Sequence, residues 1–369
     1  MLKTTLRGFL LVAVFLMTQS VFAQESEEKV GVDMTEVIMH HIKDAHDFHI
    51  IDIKDEEGNY KPVSIPLPVI LIDNGLQVFS SKRLYHEGET KTVELADSTV
   101  ESYLANEELG YGLYHGKIYK LNEAGALDFA EAGVVSNTRP LDFSITKNVF
   151  TLLFTALIMA LIMFATVKSY GKEAGAPKGI AKFFEPIVVF VRDDIARVNI
   201  GEASYQKFMP YLLTAFFFIW LGNMLGLVPF FPGGANLTGN ISFTLTLALF
   251  TLIFTLFSGK RNYWKHIFAM PGVPWPLLVI MIPVEIIGVI AKPFALTVRL
   301  FANMTAGHII LLSLTGIIFT FGNAGWAGLS IPMSLFIYVL KLLVAFLQAF
   351  IFTMLSALFI GEAVAVEHD

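Results

Sequence analysis

The chain has 369 residues, 54% of them hydrophobic and 16% charged, with a formal net charge of −6. Soluble domains carry about 25% charged residues, so this composition excludes an ordinary soluble globular protein and points to the membrane. Cysteine is absent, which excludes disulfides and thiolate metal sites, and no basic block or aromatic-interleaved basic stripe marks a nucleic-acid partner.

Residues 1–23 read as a secretory signal peptide. Lys3 and Arg7 form the positive n-region, Gly8 to Met17 the apolar core, and Val21-Phe22-Ala23 a small-x-small cleavage site before Gln24. An uncleaved signal anchor is the alternative, but ten apolar residues are short for a membrane span.

Residues 24–147 read as an exported, acidic, β-rich soluble domain. Its strand-like runs are His49 to Lys54, Ile65 to Asp73 and Leu113 to Lys120, the last with a tight turn at His115-Gly116. Six of the nine histidines lie in this region, among them His40, His41, His46 and His49. Their spacing matches no standard ligand set, so the cluster is expected to lie on a solvated amphipathic helix and to hold no metal.

Residues 148–369 read as an all-α polytopic membrane domain with about five helices, the last two long and tilted. The expected spans are Asn148–Thr166, Tyr211–Val228, Ile241–Ser258, about Pro276–Phe321 and Ile331–Val366, with a charged loop from Lys168 to Glu202. About 20 residues cross a bilayer, so each of the last two is a steeply tilted helix or a broken one. Lys168, Lys172, Lys178, Lys182, Arg192 and Arg197 fall in one loop, and Lys260, Arg261 and Lys265 in another. The segments 229–240 and 322–330 contain no Lys or Arg. The positive-inside rule makes the first pair of loops cytoplasmic, with the N-terminal domain outside and the C-terminus inside.

The polar residues within the apolar segments carry the functional signal. Arg299 lies amid runs of Ile, Leu, Val and Phe, where a charge costs roughly 2.5–3.5 kcal/mol to insert, so it marks a functional site by default. Its bland readings are a snorkelling arginine and a structural partner for a buried carboxylate. Glu285, Lys292 and Arg299 stand seven apart and share one helix face, which Asn303 extends. His308 faces about half a turn away. On the last segment Ser334, Lys341, Gln348 and Glu362 also fall at multiples of seven. Glu285 and Lys292 neutralising each other, Lys341 snorkelling and Gln348 bonding between helices are the structural alternatives. As a set, ionisable and amide side chains on two adjacent membrane helices describe a proton path.

Four stretches resemble one family, the membrane subunit a of rotary F-type ATP synthases. They are Lys-Pro-Phe-Ala-Leu-Thr-Val-Arg-Leu-Phe-Ala-Asn-Met-Thr-Ala-Gly-His over 292–308, Leu347-Gln348-Ala349-Phe350-Ile351-Phe352, Phe190 to Arg197, and Pro232 to Asn240. The resemblance covers about 148–366 and says little about 24–147. It implies a proton-translocating stator subunit of the bacterial inner membrane, partnered by the subunit c ring, the subunit b stalk, other synthase subunits and the lipid. It implies that Arg299 faces the ring carboxylate and that Glu285 sits in the cytoplasmic half-channel. Asn303 and Gln348 then lie near the arginine, and His308 sits in the outer half-channel. Lys341 departs from the pattern, since many relatives have a His or an acidic residue there.

The chain contains no phosphate-binding loop, so no ATP site and no cofactor are expected in it. A stand-alone ion transporter or channel with an exported domain is the alternative. It calls for inverted repeats, and the first half holds no second copy of the Lys-Pro…Arg…Asn segment. An intramembrane enzyme would need His-Glu-x-x-His, Gly-x-Ser-x-Gly or a cysteine nucleophile, none of which is present. A membrane scaffold for the β domain leaves Arg299 unexplained.

Overall fold

The computed structural model describes residues 38–39, 42–54, 60–94, 100–130, 134–169, 179–228, 231–270, 272–321 and 324–365. The signal-peptide reading of 1–23 and the positions of His40, His41, Lys172 and Lys178 lie outside these residues.

The N-terminal part is β-rich. Strands β1 (Asp47–Lys54) and β2 (Tyr60–Pro66) form an antiparallel pair. Strand β3 (Pro68–Ile72) lies between β4 (Leu76–Ser80) and β9 (Leu141–Asp142). A four-stranded meander joins β5 (Glu89–Glu94), β6 (Val100–Asn106), β7 (Tyr111–Tyr114) and β8 (Lys117–Lys120). The β7–β8 turn falls at His115-Gly116, both with positive φ (48° and 76°), as a two-residue hairpin requires. The expected strand Ile65–Asp73 is instead divided at Leu67. There the Leu67 N–H donates to the His46 carbonyl and to Ser81 Oγ, so the chain changes partners. Val69 and Leu71 alternate inward from β3 and, with Leu84, Tyr111, Leu113 and Ile118, make the core of this part.

Of the histidine cluster, the described members His46 and His49 are not on an amphipathic helix. His46 precedes β1 and is buried, with Nε2 3.4 Å from Asp142 Oδ2, and His49 lies within β1. The alternating apolar residues from Phe48 onward set a period of two, which overrides the local helix pattern.

Among the described residues five helices are long and apolar enough to cross a membrane. They are α2 (Lys147–Ser169), α4 (Tyr205–Leu227), α5 (Ile241–Ser258), α7 (Trp275–Thr320) and α8 (Ala327–Val364). The shorter helices are α1 (Lys82–Tyr85), α3 (Ile180–Phe190, continued by a π-helical stretch Val191–Arg197 and by Val198–Ile200) and α6 (Arg261–Phe268). The last two spans are continuous: Pro283 and Pro293 sit inside α7 and Pro332 inside α8. At about 1.5 Å per residue, α7 is roughly 70 Å long, more than twice the ~30 Å hydrocarbon layer, so it must run obliquely or project beyond it.

The charged loop Lys168–Glu202 is largely helix α3. Phe184, Val191 and Ile195 recur at helical spacing and are buried against Phe208, Phe216, Leu300 and Phe352 of the bundle. Its charges pair along the outer side: Arg192 and Arg197 both reach Asp193, at 2.8 and 2.9 Å, and Arg197 also reaches Glu202. Gly361 of α8 lets α3 come this close, since a Cβ there would lie 1.9 Å from the Asn199 carbonyl oxygen.

The β part is joined to the helices through an aromatic cluster. Phe48 packs edge-on against Phe150 and Phe231, with ring centres 5.5 and 5.3 Å apart, over a patch completed by Leu67 and Ala235. The first turn of α2 is closed by the same region. Lys147 N–H donates to the Ala45 carbonyl at 2.9 Å, and Asn148 N–H to Asp44 Oδ1 at 3.1 Å.

Candidate functional site in the long helix pair

Helices α7 and α8 pack along one another and present their polar residues at three levels. At the middle, Leu296, Thr297, Leu300 and Met304 turn inward from α7 and are buried. That rotation leaves Arg299 on the outer face, exposed in the isolated chain. Among the described residues its guanidinium has no ion pair and no side-chain hydrogen bond. Arg299 stands well inside the helix, which runs from Trp275 before it to Thr320 after it. Exposed Ile287, Ile290, Phe294 and Val298 flank it along α7. One turn on, Asn303 Nδ2 donates to Oε1 of buried Gln348 at 2.9 Å. Asn303 and Gln348 are therefore one pair, of the residues the sequence marked, that the fold brings into direct contact.

At the Trp275 end of α7, Glu285 and Lys292 share a face but do not neutralise each other. Lys292 Nζ pairs with Glu362 Oε2 at the end of α8, and its ammonium lies 5.1 Å from the Phe359 ring centre. Glu285 Oε1 is instead 3.6 Å from His266 Nδ1 on α6. His266 carried no periodic signal, because it comes from a separate short helix. Its amphipathic pattern, Arg-Asn-Tyr-Trp-Lys-His-Ile-Phe, was the feature that could have found it.

Toward the other end His308 points away from Arg299, as the helical spacing required. Its Nε2 is buried, lacks a hydrogen-bond partner among the described residues, and would lie 3.9 Å from a Cβ placed on Gly226 of α4. Lys341 does not snorkel. It is 6% exposed, its stem fits against Gly307, and its Nζ is likewise buried without a hydrogen-bond partner. The two groups are within electrostatic reach of each other. Asn223 on α4, buried and accepting a 2.6 Å hydrogen bond from Thr238, stands three residues before Gly226 and was not marked by the sequence. Its signal was a lone amide in an otherwise apolar span. On α8, Ser334 Oγ is also buried without a hydrogen-bond partner among the described residues, whereas Ser330 donates to the Leu314 carbonyl.

Two levels of titratable groups thus lie at opposite ends of the helix pair, displaced from one exposed cation between them.

Comparison with known proteins adds the family. Residues 149–361 match the family described as ATP synthase A chain, and residues 37–143 match a family described as a domain of unknown function. The chain is 52% identical over 232 residues to the ATP synthase subunit a 2 of Chlorobaculum tepidum, covering 61% of this chain and 64% of that protein. It is 48% identical over 259 residues to the ATP synthase subunit a of Chloroherpeton thalassium, covering 68% and 77%. It is 44% identical over 314 residues to the ATP synthase subunit a 2 of Prosthecochloris aestuarii, covering 82% and 92%.

Proposed function

The chain belongs to the family of ATP synthase A chains, and from that membership we propose that it is the proton-translocating stator subunit of the synthase membrane sector. Arg299 carries the proposal. A guanidinium exposed on an apolar helix face in mid-membrane is too costly to leave against lipid, so the face is made for a partner that brings a carboxylate. That partner is the rotating ring of subunit c. The subunit b stalk and the remaining synthase subunits hold this chain still against it.

The cycle follows from charge. A ring carboxylate crossing lipid stays protonated, because the ionised form costs many kcal/mol there. Opposite Arg299 the positive charge favours the carboxylate anion, and the proton leaves. One half-channel takes that proton, and the other supplies a new one before the site re-enters lipid. The cytoplasmic half-channel contains Glu285, and the outer one contains His308 with Lys341. The Asn303–Gln348 bond fixes the two helices beside the arginine. Arg299 also repels protons that would pass directly between the half-channels. The driving force is about 2.3 kcal/mol per charge per 100 mV.

In this reading the chain is a multi-pass protein of the bacterial inner membrane, with its β part outside and its C-terminus in the cytoplasm. It binds no ATP itself. The test is ATP-driven proton pumping in inverted vesicles with Arg299→Ala, assembly being matched to wild type. Loss of pumping in the intact complex is expected; unchanged pumping would overturn the assignment.

A further inference from the structure

We propose that the N-terminal β part forms the mouth of the outer half-channel, with Asp44 and Asp47 capturing protons for a water-filled path to His308. This rests on the stator reading above and assigns a role to a region whose matched family has none.

The path is marked by buried polar atoms that the described residues leave unpaired. Asp47 is 5% exposed and its Oδ1 has no hydrogen-bond partner. Asn148 and Thr151, one turn apart on α2, are buried with Oδ1 and Oγ1 unpaired. Farther in, Asn223 Nδ2 and both side-chain ends of Asn236 are also unpaired. His308 Nε2 and Lys341 Nζ end the series. Left dry, each such atom would forfeit its hydrogen bonds to water with no partner in return. A run of polar sites this close together instead suits a file of bound waters, each making several hydrogen bonds.

Contacts link the stations in order. Asp44 Oδ1 accepts from the Asn148 amide. The next turn of α2 carries Thr155, whose methyl group lies beside Gly222 of α4. Asn223 follows Gly222 and holds Thr238 at 2.6 Å, two residues from Asn236. One turn farther along α4, Gly226 lies between the Ala235 carbonyl and His308 Nε2. Ala235 also packs on Phe48, so only short contacts separate the β part from His308. Asp44 stands at the junction. It borders a cavity of about 520 Å³ within the β part, lined also by Lys43, Tyr85 and His115. It borders as well a groove of about 630 Å³ between α2, α4 and α5. That groove is lined mainly by Leu, Val and Phe, which suits lipid chains rather than a file of water.

Electrostatics fits the role. Both carboxylates lie within reach of Lys147, which in turn lies within reach of His308. Among the described residues the other charged or titratable groups around them include Lys43, Tyr85 and His115, which line the same cavity as Asp44, and His46, which precedes Asp47 and pairs with Asp142. A proton taken by either aspartate passes to water and then, by exchange along the file, to the His308 region. No bond other than O–H and N–H is made or broken.

The test is potential-driven proton flow through the assembled complex, entering from the outer side, as the pH on that side is raised. Asp44→Asn with Asp47→Asn keeps an oxygen to accept from Asn148, so the α2 cap survives. Flow is expected to fall about tenfold at high outer pH, the low end of what charge focusing adds to an on-rate. It should recover in acid, where capture is no longer limiting. Flow equal to wild type at every pH, or a uniform loss, would overturn the proposal. Because the chain has no cysteine, Thr151→Cys provides a second reading: a small membrane-impermeant thiol reagent applied outside should label it, and an inert thiol would also overturn the path. Arg299→Ala in the same preparation separates the two claims. If it still conducts normally the stator reading fails; if it is blocked while the aspartate variants behave as wild type, only the mouth is wrong.

Discussion

Asn303 reaches across from one long helix to Gln348 on the other, 2.9 Å from amide to carbonyl oxygen, one turn beyond Arg299. The bond sets the rotation of α7 against α8, and hence the direction in which the arginine points. Gln348 is 2% exposed, so cutting its side chain leaves the Asn303 amide short of a partner. Gln348→Leu is expected to lower the stability of the purified complex by about 0.6–2 kcal/mol, the range for interhelical polar bonds in membranes. It should also weaken coupling more than Gln348→Asn does. Thermal unfolding and ATP-driven pumping, measured together on both variants, check this.

The Arg299 side chain makes no hydrogen bond or ion pair within the described residues, so its replacement should not disturb the folded chain. Arg299→Lys is expected to assemble to wild-type levels and to lose most coupled pumping. An ammonium presents a point charge and can shed its proton when buried, whereas guanidinium does neither. A lysine variant that pumps normally would contradict the role given to the fixed charge.

Lys292 of α7 and Glu362, near the end of α8, form an ion pair, and both are partly exposed. An exposed pair contributes about 0–1 kcal/mol, so its loss should hardly change stability. Glu362→Gln is nevertheless expected to slow proton exit, because Lys292 then stands uncompensated between Glu285 and Arg299. The exchange Lys292→Glu with Glu362→Lys should restore part of the rate. Proton flux at saturating drive distinguishes the single variant from the exchange.

Gly361 and Gly288 make a matched comparison. A Cβ at Gly361 would meet the Asn199 carbonyl at 1.9 Å, whereas one at Gly288 would meet nothing within 4 Å. Gly361→Ala is expected to push α3 off α8 and cost about 1–3 kcal/mol, seen as a lower melting temperature of the complex. Gly288→Ala should cost nothing.

Asp142 gives the β part a pH limit. Its half-burial pushes its pKa up, but the hydrogen bonds from His46 and Ser144 outweigh that and hold it down at about 2. The folded value lies below the ordinary value of 3.8. The bond therefore stabilises the fold above pH 3.8, and this contribution is lost as the pH falls toward 2. Hydrogen exchange at the β3–β9 amides should rise through that window in the wild type and be flat there in Asp142→Asn.

Much of this was legible from the sequence, for physical reasons that also mark the limits. The five spans announced themselves because lipid tolerates only long apolar runs. The His115-Gly116 turn was legible because few residue pairs accept two positive φ angles. Helix α3 was hidden because its apolar stripe is narrow and its flanks are charged. Seven-residue spacing correctly placed Glu285 and Lys292 on one face, but spacing says nothing about what stands opposite. Glu362 and His266 come from other elements, and only tertiary packing brings them in. His46 was misread for the same reason, since its partner Asp142 lies 96 residues away.

The closure of α2 by Asp44 and Ala45 bears on when the helix is complete. The residue that caps the helix precedes it by 104 positions, with the whole β part between them. The helix's own Thr146 supplies one acceptor, to the Val149 N–H, and the other two come from Ala45 and Asp44 on the far side of the β part. The first turn of α2 is therefore fully closed only when the β part has folded back beside it.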